Sequence, residues 1–116
     1  MKGSFGSVKL FGKKYEKDVV LHVNGSVTKR KKKKSREFKP LYGGHTPLSE
    51  KELDFLEEEK PKVVYVGIGY DSALPITDDA KKTLSKYESV VMSTPEIVEK
   101  VRQEKRKLVA IIHVTC

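Results

Sequence analysis

The chain has 116 residues, of which 37% are hydrophobic and 34% charged, and its net charge is +8. This size suits one domain, residues 1–116, whose core needs no disulfide or structural metal. The lone cysteine, Cys116, excludes an internal disulfide and a closed zinc site of the usual kind. We expect no metal and no cofactor. No apolar run approaches the roughly 18 residues of a membrane helix, and no secretory signal follows Met1, so we expect a cytoplasmic protein with no membrane partner.

The positive charge lies almost wholly in the first third of the chain. Residues 1–40 hold 13 Lys or Arg against 3 Asp or Glu, whereas residues 41–116 hold 11 against 13. The densest part is the basic run, residues 29–36. Because phosphate groups bind to such runs, one interpretation is a set of nucleic-acid contacts made by Arg30, Lys31, Lys32, Lys33, Lys34 and Arg36.

A solvated strand edge is the other interpretation of the basic run, and the favoured one. Lysines at the end of a strand block its pairing with another chain. No RNA-binding or helix-turn-helix pattern accompanies the run. Phe38 and Tyr42 are nevertheless near enough in sequence to stack on bases, so nucleic-acid binding stays open as an alternative.

The N-terminal part of the chain predicts strands. Residues 8–11 form a short apolar segment, and residues 18–23 and 26–31 are typical of the two arms of a hairpin. The pair Asn24-Gly25 between these arms favours a type I′ turn, in which both central residues have positive φ.

The segment that joins the two halves predicts one helix. Residues 35–42 look extended or irregular, and residues 43–44 are a diglycine break. Ser49 and Glu52 then have the spacing of a capping box, in which each side chain bonds the other's backbone amide. This pattern predicts a helix over residues 50–59.

The second half alternates apolar strands with capped helices. Its predicted elements are a strand at 63–69, a helix at 78–86 capped by Thr77, a strand at 89–92, a helix opened by Ser93-x-x-Glu96, and a buried strand at 108–114. Such an alternation makes the strands parallel with right-handed crossovers. The sequence therefore predicts a mixed α/β fold, with an N-terminal antiparallel hairpin layer and a βαβαβ unit that has parallel strands and three helices.

Several polar residues and glycines follow the predicted parallel strands. Ligands in open α/β folds bind outside the carboxyl ends of such strands. If the strands are parallel, these segments share one edge, which we call the rim. Its candidate ligand-binding residues are Gly67, Gly69, Tyr70, Asp71, Ser93, His113 and Cys116, with His45 reaching over from its loop.

The rim carries no complete catalytic pattern. Ser72 stands where a dinucleotide-binding motif would have its third glycine. His113 could serve as a base for Cys116, but a spacing of three residues at a strand end does not by itself bring two side chains together. The histidines are too far apart in sequence to indicate a metal site. No catalytic residue is predicted, and the sequence leaves open whether the protein is an enzyme while favouring that it is not.

Motifs spread along the whole chain carry a resemblance. They are residues 5–8, 18–27, 44–46, 66–69 and 110–116, the last of which ends in His113-Val114-Thr115-Cys116. In these segments the chain resembles an uncharacterised family of small domains typified by a methanogen protein of unknown function, with relatives in a human adipogenesis-associated protein and a mitochondrial complex I assembly factor. The resemblance implies a layered β/α fold and no known activity, substrate or cofactor. The assembly-factor branch acts through protein partners.

The function favoured by the sequence is therefore a non-enzymatic protein-interaction or assembly-type module with an unidentified protein partner. Two alternatives remain open. One is a site at the rim that either binds a small ligand or anion or is enzymatic. The other is nucleic-acid binding through the basic run.

Overall fold

Seven strands and three α-helices make up the computed structural model, which describes residues 6–42 and 46–114. The strands are β1 (Val8–Leu10), β2 (Lys13–Tyr15), β3 (Val19–Leu21), β4 (Val27–Lys29), β5 (Val63–Gly67), β6 (Glu88–Met92) and β7 (Leu108–Ile112). The α-helices are α1 (Leu56–Glu59), α2 (Asp78–Leu84) and α3 (Thr94–Gln103), and two 3-10 helices span Lys32–Tyr42 and Glu50–Glu52.

The central sheet has five strands in the order β4-β3-β7-β5-β6. Strand β5 runs parallel to both β6 and β7, which confirms the predicted parallel unit. Strand β3 is antiparallel to β4 and also to β7. The predicted fold class is thus confirmed, and the β3–β4 hairpin extends the same sheet as the parallel strands. Strands β1 and β2 form a separate two-stranded sheet.

The sheet buries both of its faces. Along β5, Val63 and Tyr65 belong to one apolar cluster, whereas Val64 and Val66 belong to the other. This alternation follows from the period of two in a strand, and it requires apolar layers on both sides. One face is covered by α3 and the β1–β2 hairpin, and the other by α1, α2 and the segment around Leu53.

The type I′ turn predicted at Asn24-Gly25 is wrong. Of that pair only Gly25 has a positive φ, of 88°. The Gly25 amide donates to the His22 carbonyl at 2.9 Å, and the Asn24 side chain accepts from the Ser26 amide. Because Asn24 bonds its own loop in this way, the connection becomes a three-residue loop with glycine in the left-handed region.

Positive φ at both central residues occurs instead in the β1–β2 hairpin, whose second strand was not predicted. Its two-residue loop is Phe11-Gly12, with φ values of 49° and 83°. Leu10 and Lys13 face each other across it. No asparagine marks this turn, so the sequence gives little indication of it.

The helix predicted over residues 50–59 is also wrong in extent. A 3-10 turn, Glu50–Glu52, is separated from the short helix α1, Leu56–Glu59. The capping box does not form, because the Ser49 hydroxyl meets Ser35 at 2.6 Å and the Glu52 carboxylate is bound elsewhere. Both side chains are used by distant partners and cannot cap a helix.

The remaining local predictions differ mainly at element ends. Residues 35–42, predicted as extended or irregular, belong to the 3-10 helix Lys32–Tyr42. The strand predicted at 63–69 ends at Gly67. Helix α2 begins as predicted, with the Thr77 hydroxyl accepting from the Ala80 amide at 3.1 Å. The diglycine break at 43–44 lies outside the described residues.

Candidate functional site

The rim is held together by one buried hydroxyl, that of Thr94. Its Oγ1 accepts from the Gly69 amide at 2.9 Å and donates to the His113 carbonyl at 2.6 Å. The His113 amide in turn donates to the Gly67 carbonyl at 2.9 Å. A Cβ on Gly67 would lie 3.0 Å from Thr94 Oγ1, which is tighter than most Cβ contacts, so this close approach favours glycine. The structure therefore brings Gly67, Gly69 and His113 together, as strand polarity predicted.

The other predicted rim residues lie around this contact. The Tyr70 hydroxyl donates to the Ser7 carbonyl, and burial raises the pKa of that phenol. The Ser93 hydroxyl bonds Glu96 at the start of α3, and Asp71 is exposed. His45 and Cys116 lie outside the described residues. The polar groups described here bond mainly to one another, and a ligand at the rim stays a prediction.

The ring of His113 points to a second group of polar residues. Its Nδ1 lies 2.7 Å from Oδ2 of Asp18, which is 95 residues away in sequence. The other oxygen of Asp18 accepts from the Val114 amide at 2.9 Å. Asp18 stands at the start of β3 and His113 at the end of β7, and these strands are neighbours. The pairing of β3 with β7 therefore places Asp18 next to His113.

A buried arginine continues this network. The Arg30 guanidinium donates from Nη1 to Asp18 at 3.0 Å and from Nε to Glu52 at 2.7 Å. Its Nη2 also donates to Glu52 and to the Pro47 carbonyl. The Ser35 hydroxyl completes the coordination of Glu52 at 2.5 Å. The network therefore links Arg30, the first residue after β4, to Asp18 before β3 and to the later segment that holds Pro47 and Glu52.

The pKa of the Asp18 carboxyl is strongly shifted by its neighbours in this network. Burial alone would raise its pKa, but the hydrogen bond and charge of His113, the Val114 amide and the Lys32 ammonium together lower it well below its usual range. The carboxylate is therefore ionised near neutrality. Because an ionised carboxylate only accepts hydrogen bonds, the proton shared with His113 sits on Nδ1.

A cleft of about 500 Å³ opens above the Asp18–Arg30 pair. We call it the basic cleft. It is lined by eight Lys or Arg residues and two acids, together with Val114: Glu16, Lys17, Asp18, Lys29, Arg30, Lys31, Lys32, Lys33, Lys34 and Arg36. The whole predicted set of nucleic-acid residues therefore meets at one concave surface, joined by Lys17 from the end of the β1–β2 hairpin.

The cations of the basic cleft are crowded. The ammonium of Lys17 lowers the pKa of Lys29, and Lys33 adds to the effect. Among the described residues, no carboxylate forms an ion pair with Lys17, Lys29, Lys31 or Lys33, whereas Lys32 pairs with Asp18 and Lys34 with Asp54. Crowded like charges of this kind are relieved when an anion lies between them.

Arg30 differs from the other predicted nucleic-acid residues because its guanidinium is buried. Only 1% of its side chain is exposed, and three of its nitrogens bond Asp18, Glu52 and the Pro47 carbonyl. Arg30 therefore anchors the basic run, and Arg36 and the four lysines after Arg30 remain exposed. The neighbouring residues in the sequence do not indicate that Arg30, unlike the lysines after it, is buried.

Sequence reasoning missed the acids of the network. Asp18 directly precedes an apolar strand, and Glu52 was assigned to a helix cap. The one available signal was an acid at the edge of an apolar segment, close to a basic run. Within residues 6–42 and 46–114, no group of three or more His, Cys, Asp or Glu side chains is placed to hold a metal ion. The described helices are too short or too polar to cross a membrane.

Two solved structures are similar to this chain over its whole length. The crystal structure of the conserved hypothetical protein PH1505 from Pyrococcus horikoshii OT3 is 30% identical, with a TM-score of 0.83, and the match covers 100% of this chain and 98% of that one. The structure of MT938 is 36% identical, with a TM-score of 0.79, and the match covers 100% and 96%. No family model and no curated protein sequence matches the chain.

Proposed function

This chain belongs to the family of small proteins that includes PH1505 and MT938, and we propose that it is a non-enzymatic, cytoplasmic binding module whose basic cleft holds nucleic acid by its phosphates. One observation carries the proposal: seven exposed cationic side chains surround a concave surface that has two carboxylates, one of which is already bound to the buried Arg30. Cation clusters of this kind bind phosphate chains without reading their sequence.

The spacing of charge favours nucleic acid over an acidic protein. A nucleic-acid strand carries one negative charge about every 3.4 Å along its axis. The ammonium of Lys17 lies close enough to lower the pKa of Lys29, and Lys31 and Lys33 border the same surface. Carboxylates on a folded partner are rarely as dense, so a phosphate chain matches this cluster better.

Protection of a strand edge accounts for only part of the basic run. Strand β4 does lie at one edge of the sheet and carries the exposed Lys29. Lys32, Lys33 and Lys34, however, belong to a 3-10 helix beyond that strand. Blocking of edge pairing does not require lysines there, and a bound polyanion gives them a role.

The proposal is tested by the affinity for short single-stranded RNA and DNA, measured by fluorescence anisotropy at about 50 and 200 mM salt. In the cleft variant, Lys17, Lys29, Lys31 and Lys33 are replaced by Gln. We expect the parent to bind more weakly at high salt and the cleft variant to lose about tenfold or more in affinity at low salt, because counterion release falls with each lost phosphate contact.

A matched control removes the same charge elsewhere. The control variant replaces the exposed Lys81, Lys82, Lys86 and Lys100 by Gln. It should keep most of the parent's affinity. If the parent does not bind at low salt, or if both variants weaken binding equally, the proposal is wrong.

A protein-interaction or assembly-type role is the second candidate, and a specific observation favours it. Strand β6 is the other edge of the sheet, and among the described residues no strand pairs with its outer side. The sequence of β6 contains no lysine, and the side chain of Val91 on this strand is 42% exposed. Such an edge can accept an extended segment of a partner protein, as the resemblance to an assembly factor also suggests.

Capture from a native lysate tests this second candidate. The parent should retain a stoichiometric protein partner that is resistant to nuclease treatment, and a charge at the edge, Val91→Lys, should release it. A partner that is lost on nuclease treatment would instead support the basic cleft. A parent that elutes alone at every salt concentration would remove the assembly role.

A further inference from the structure

An aromatic side chain stands exposed at the tip of the β1–β2 hairpin. Phe11 is 70% exposed and has a φ of 49°. Two-residue hairpin loops with positive φ at both positions favour Asn or Gly, since a Cβ is unfavourable there. Phe11 is therefore both strained and solvated, and the fold gains neither burial nor a relaxed backbone from it. Such a combination points to a role outside the fold.

The hairpin that carries Phe11 is cationic and leads into the basic cleft. Lys9, Lys13 and Lys14 are exposed on its two strands. Strand β2 continues directly into Glu16 and Lys17, which line the cleft. At about 3.3 Å per residue, the stretch from Phe11 to Lys17 spans up to roughly 20 Å. A short single strand of nucleic acid covers that distance.

We infer that Phe11 stacks on a base of a single-stranded nucleic acid whose phosphates lie along the hairpin lysines and in the basic cleft. This inference rests on the proposed function and adds to it a contact with the bases. Aromatic side chains beside a basic groove are the usual platform for single strands, because every base offers a face for stacking.

Phe38, one of the two aromatic residues named from the sequence, does not supply this platform. Phe38 is half-buried, and the Lys51 ammonium lies 5.6 Å from the centre of its ring. The ring of Tyr15 is likewise approached by Lys13, at 5.6 Å. Neither residue lines the basic cleft, and the side chain of Tyr42 is not described. Phe11 is the exposed aromatic of this region within the described part of the chain.

A bilayer fits the same surface less well. Cationic lysines and an exposed ring also attract anionic lipids. A membrane, however, is flat on the scale of this molecule, and it would not follow the concave surface of the cleft. A flexible strand can follow the hairpin and enter the cleft, so the shape favours nucleic acid.

The test compares two probes that have equal phosphate number, a short oligothymidylate and an abasic oligomer of the same length. Asparagine replaces Phe11, because it tolerates the left-handed backbone. Phe11→Asn should weaken oligothymidylate binding about fivefold or more, as expected for one lost stacking contact. Its binding to the abasic oligomer should stay at the level of the parent. Phe11→Trp should retain affinity for oligothymidylate.

The outcomes separate this inference from the proposed function. If the cleft variant weakens both probes while Phe11→Asn changes neither, stacking is wrong and the phosphate site stands. If Phe11→Asn weakens both probes equally, its effect is not on the bases and the inference is overturned. If the parent binds neither probe but binds vesicles of phosphatidylserine and phosphatidylcholine through Phe11, both proposals fail and the hairpin binds membranes.

Discussion

Arg30 and Asp18 form an ion pair that is almost closed to solvent: the guanidinium Nη1 donates to Oδ2 at 3.0 Å, and the side chains are only 1% and 2% exposed. The pair lies beneath the lysines of the basic cleft. It fixes Arg30, the first residue after β4, inside the basic run. The position of the cationic surface therefore depends on a contact inside the protein.

Removal of Arg30 should severely destabilise the fold. In Arg30→Met the carboxylates of Asp18 and Glu52 stay buried without their cation, and loss of one member of a buried pair costs about 3–5 kcal/mol. Urea unfolding followed by circular dichroism measures the difference.

The matched control for this prediction is Arg102→Met, which breaks an exposed pair with Glu99 on α3. Its cost should be about 0.5 kcal/mol or less. Equal losses in the two variants would mean that the buried pair contributes no more than a surface pair, which contradicts the prediction.

The stability of the fold should fall in acid through Asp18. Its pKa is lowered in the folded protein, so the ionised form stabilises the fold at any pH above the unfolded pKa, which is about 3.9. This contribution decreases as the pH falls below that value, because protonation then favours the unfolded chain. Asp18→Asn removes the titrating group, so the free-energy gap between parent and variant should narrow as the pH falls from about 6 to about 3.

Unfolding free energies measured across this pH range test the prediction, and the exposed Asp71→Asn is its control. Because Asp71 is exposed, its replacement should change the free energy of unfolding by less than about 0.5 kcal/mol. If the difference in unfolding free energy between Asp18→Asn and the parent stays constant with pH, the charge of the Asp18 carboxylate does not stabilise the fold, and the prediction is wrong.

The rim should depend on the hydroxyl of Thr94. Thr94→Val keeps the shape but removes the hydroxyl that accepts from the Gly69 amide and donates to the His113 carbonyl. An unsatisfied buried group costs about 1–3 kcal/mol, so we expect a loss in that range or slightly above it. Faster hydrogen exchange at the Gly69 amide should accompany the loss.

Thr94→Ser serves as the control at this position, because it retains the hydroxyl and removes a methyl group. It should cost about 1 kcal/mol and leave the Gly69 amide protected. Exchange that is equally fast in both variants would show that the hydroxyl does not hold the rim together.

A secondary-structure element could be predicted from the sequence where the contacts that define it join residues close together in the chain. Helix α2 was predicted with its cap because the Thr77 hydroxyl and the Ala80 amide lie three residues apart. The apolar strands were predicted because burial on both faces leaves continuous runs of Val and Ile. The rim followed from strand polarity alone, since parallel strands end at one edge.

Contacts between distant residues explain the failures. Ser49 has the spacing of a cap, but its hydroxyl is held by Ser35, 14 residues earlier. Glu52 is taken by Arg30, 22 residues earlier. The Glu52 carboxylate bonds the buried Arg30 guanidinium and therefore does not cap a helix. No residue close to Glu52 in the sequence indicates this ion pair. The basic cleft was missed for a related reason, because Lys17 joins the basic run only after β3 and β4 have paired.

The last prediction concerns the strained loop at the hairpin tip. Phe11→Asn places a residue that tolerates positive φ at the first loop position, and it removes a side chain that is 70% exposed and adds little to the core. The variant should therefore be more stable than the parent by about 1 kcal/mol. The variant should also bind single strands less well, because we expect Phe11 to be retained for binding at the expense of stability.

Thermal and urea unfolding of the two proteins measure this gain, and Leu41→Asn is the matched control. Leu41 is 77% exposed and has no positive φ, so its replacement removes an exposed apolar side chain without relaxing the backbone. Its stability should change by less than about 0.5 kcal/mol. If Leu41→Asn stabilises the protein as much as Phe11→Asn does, the gain comes from lost surface hydrophobicity, and the strain assigned to Phe11 is wrong.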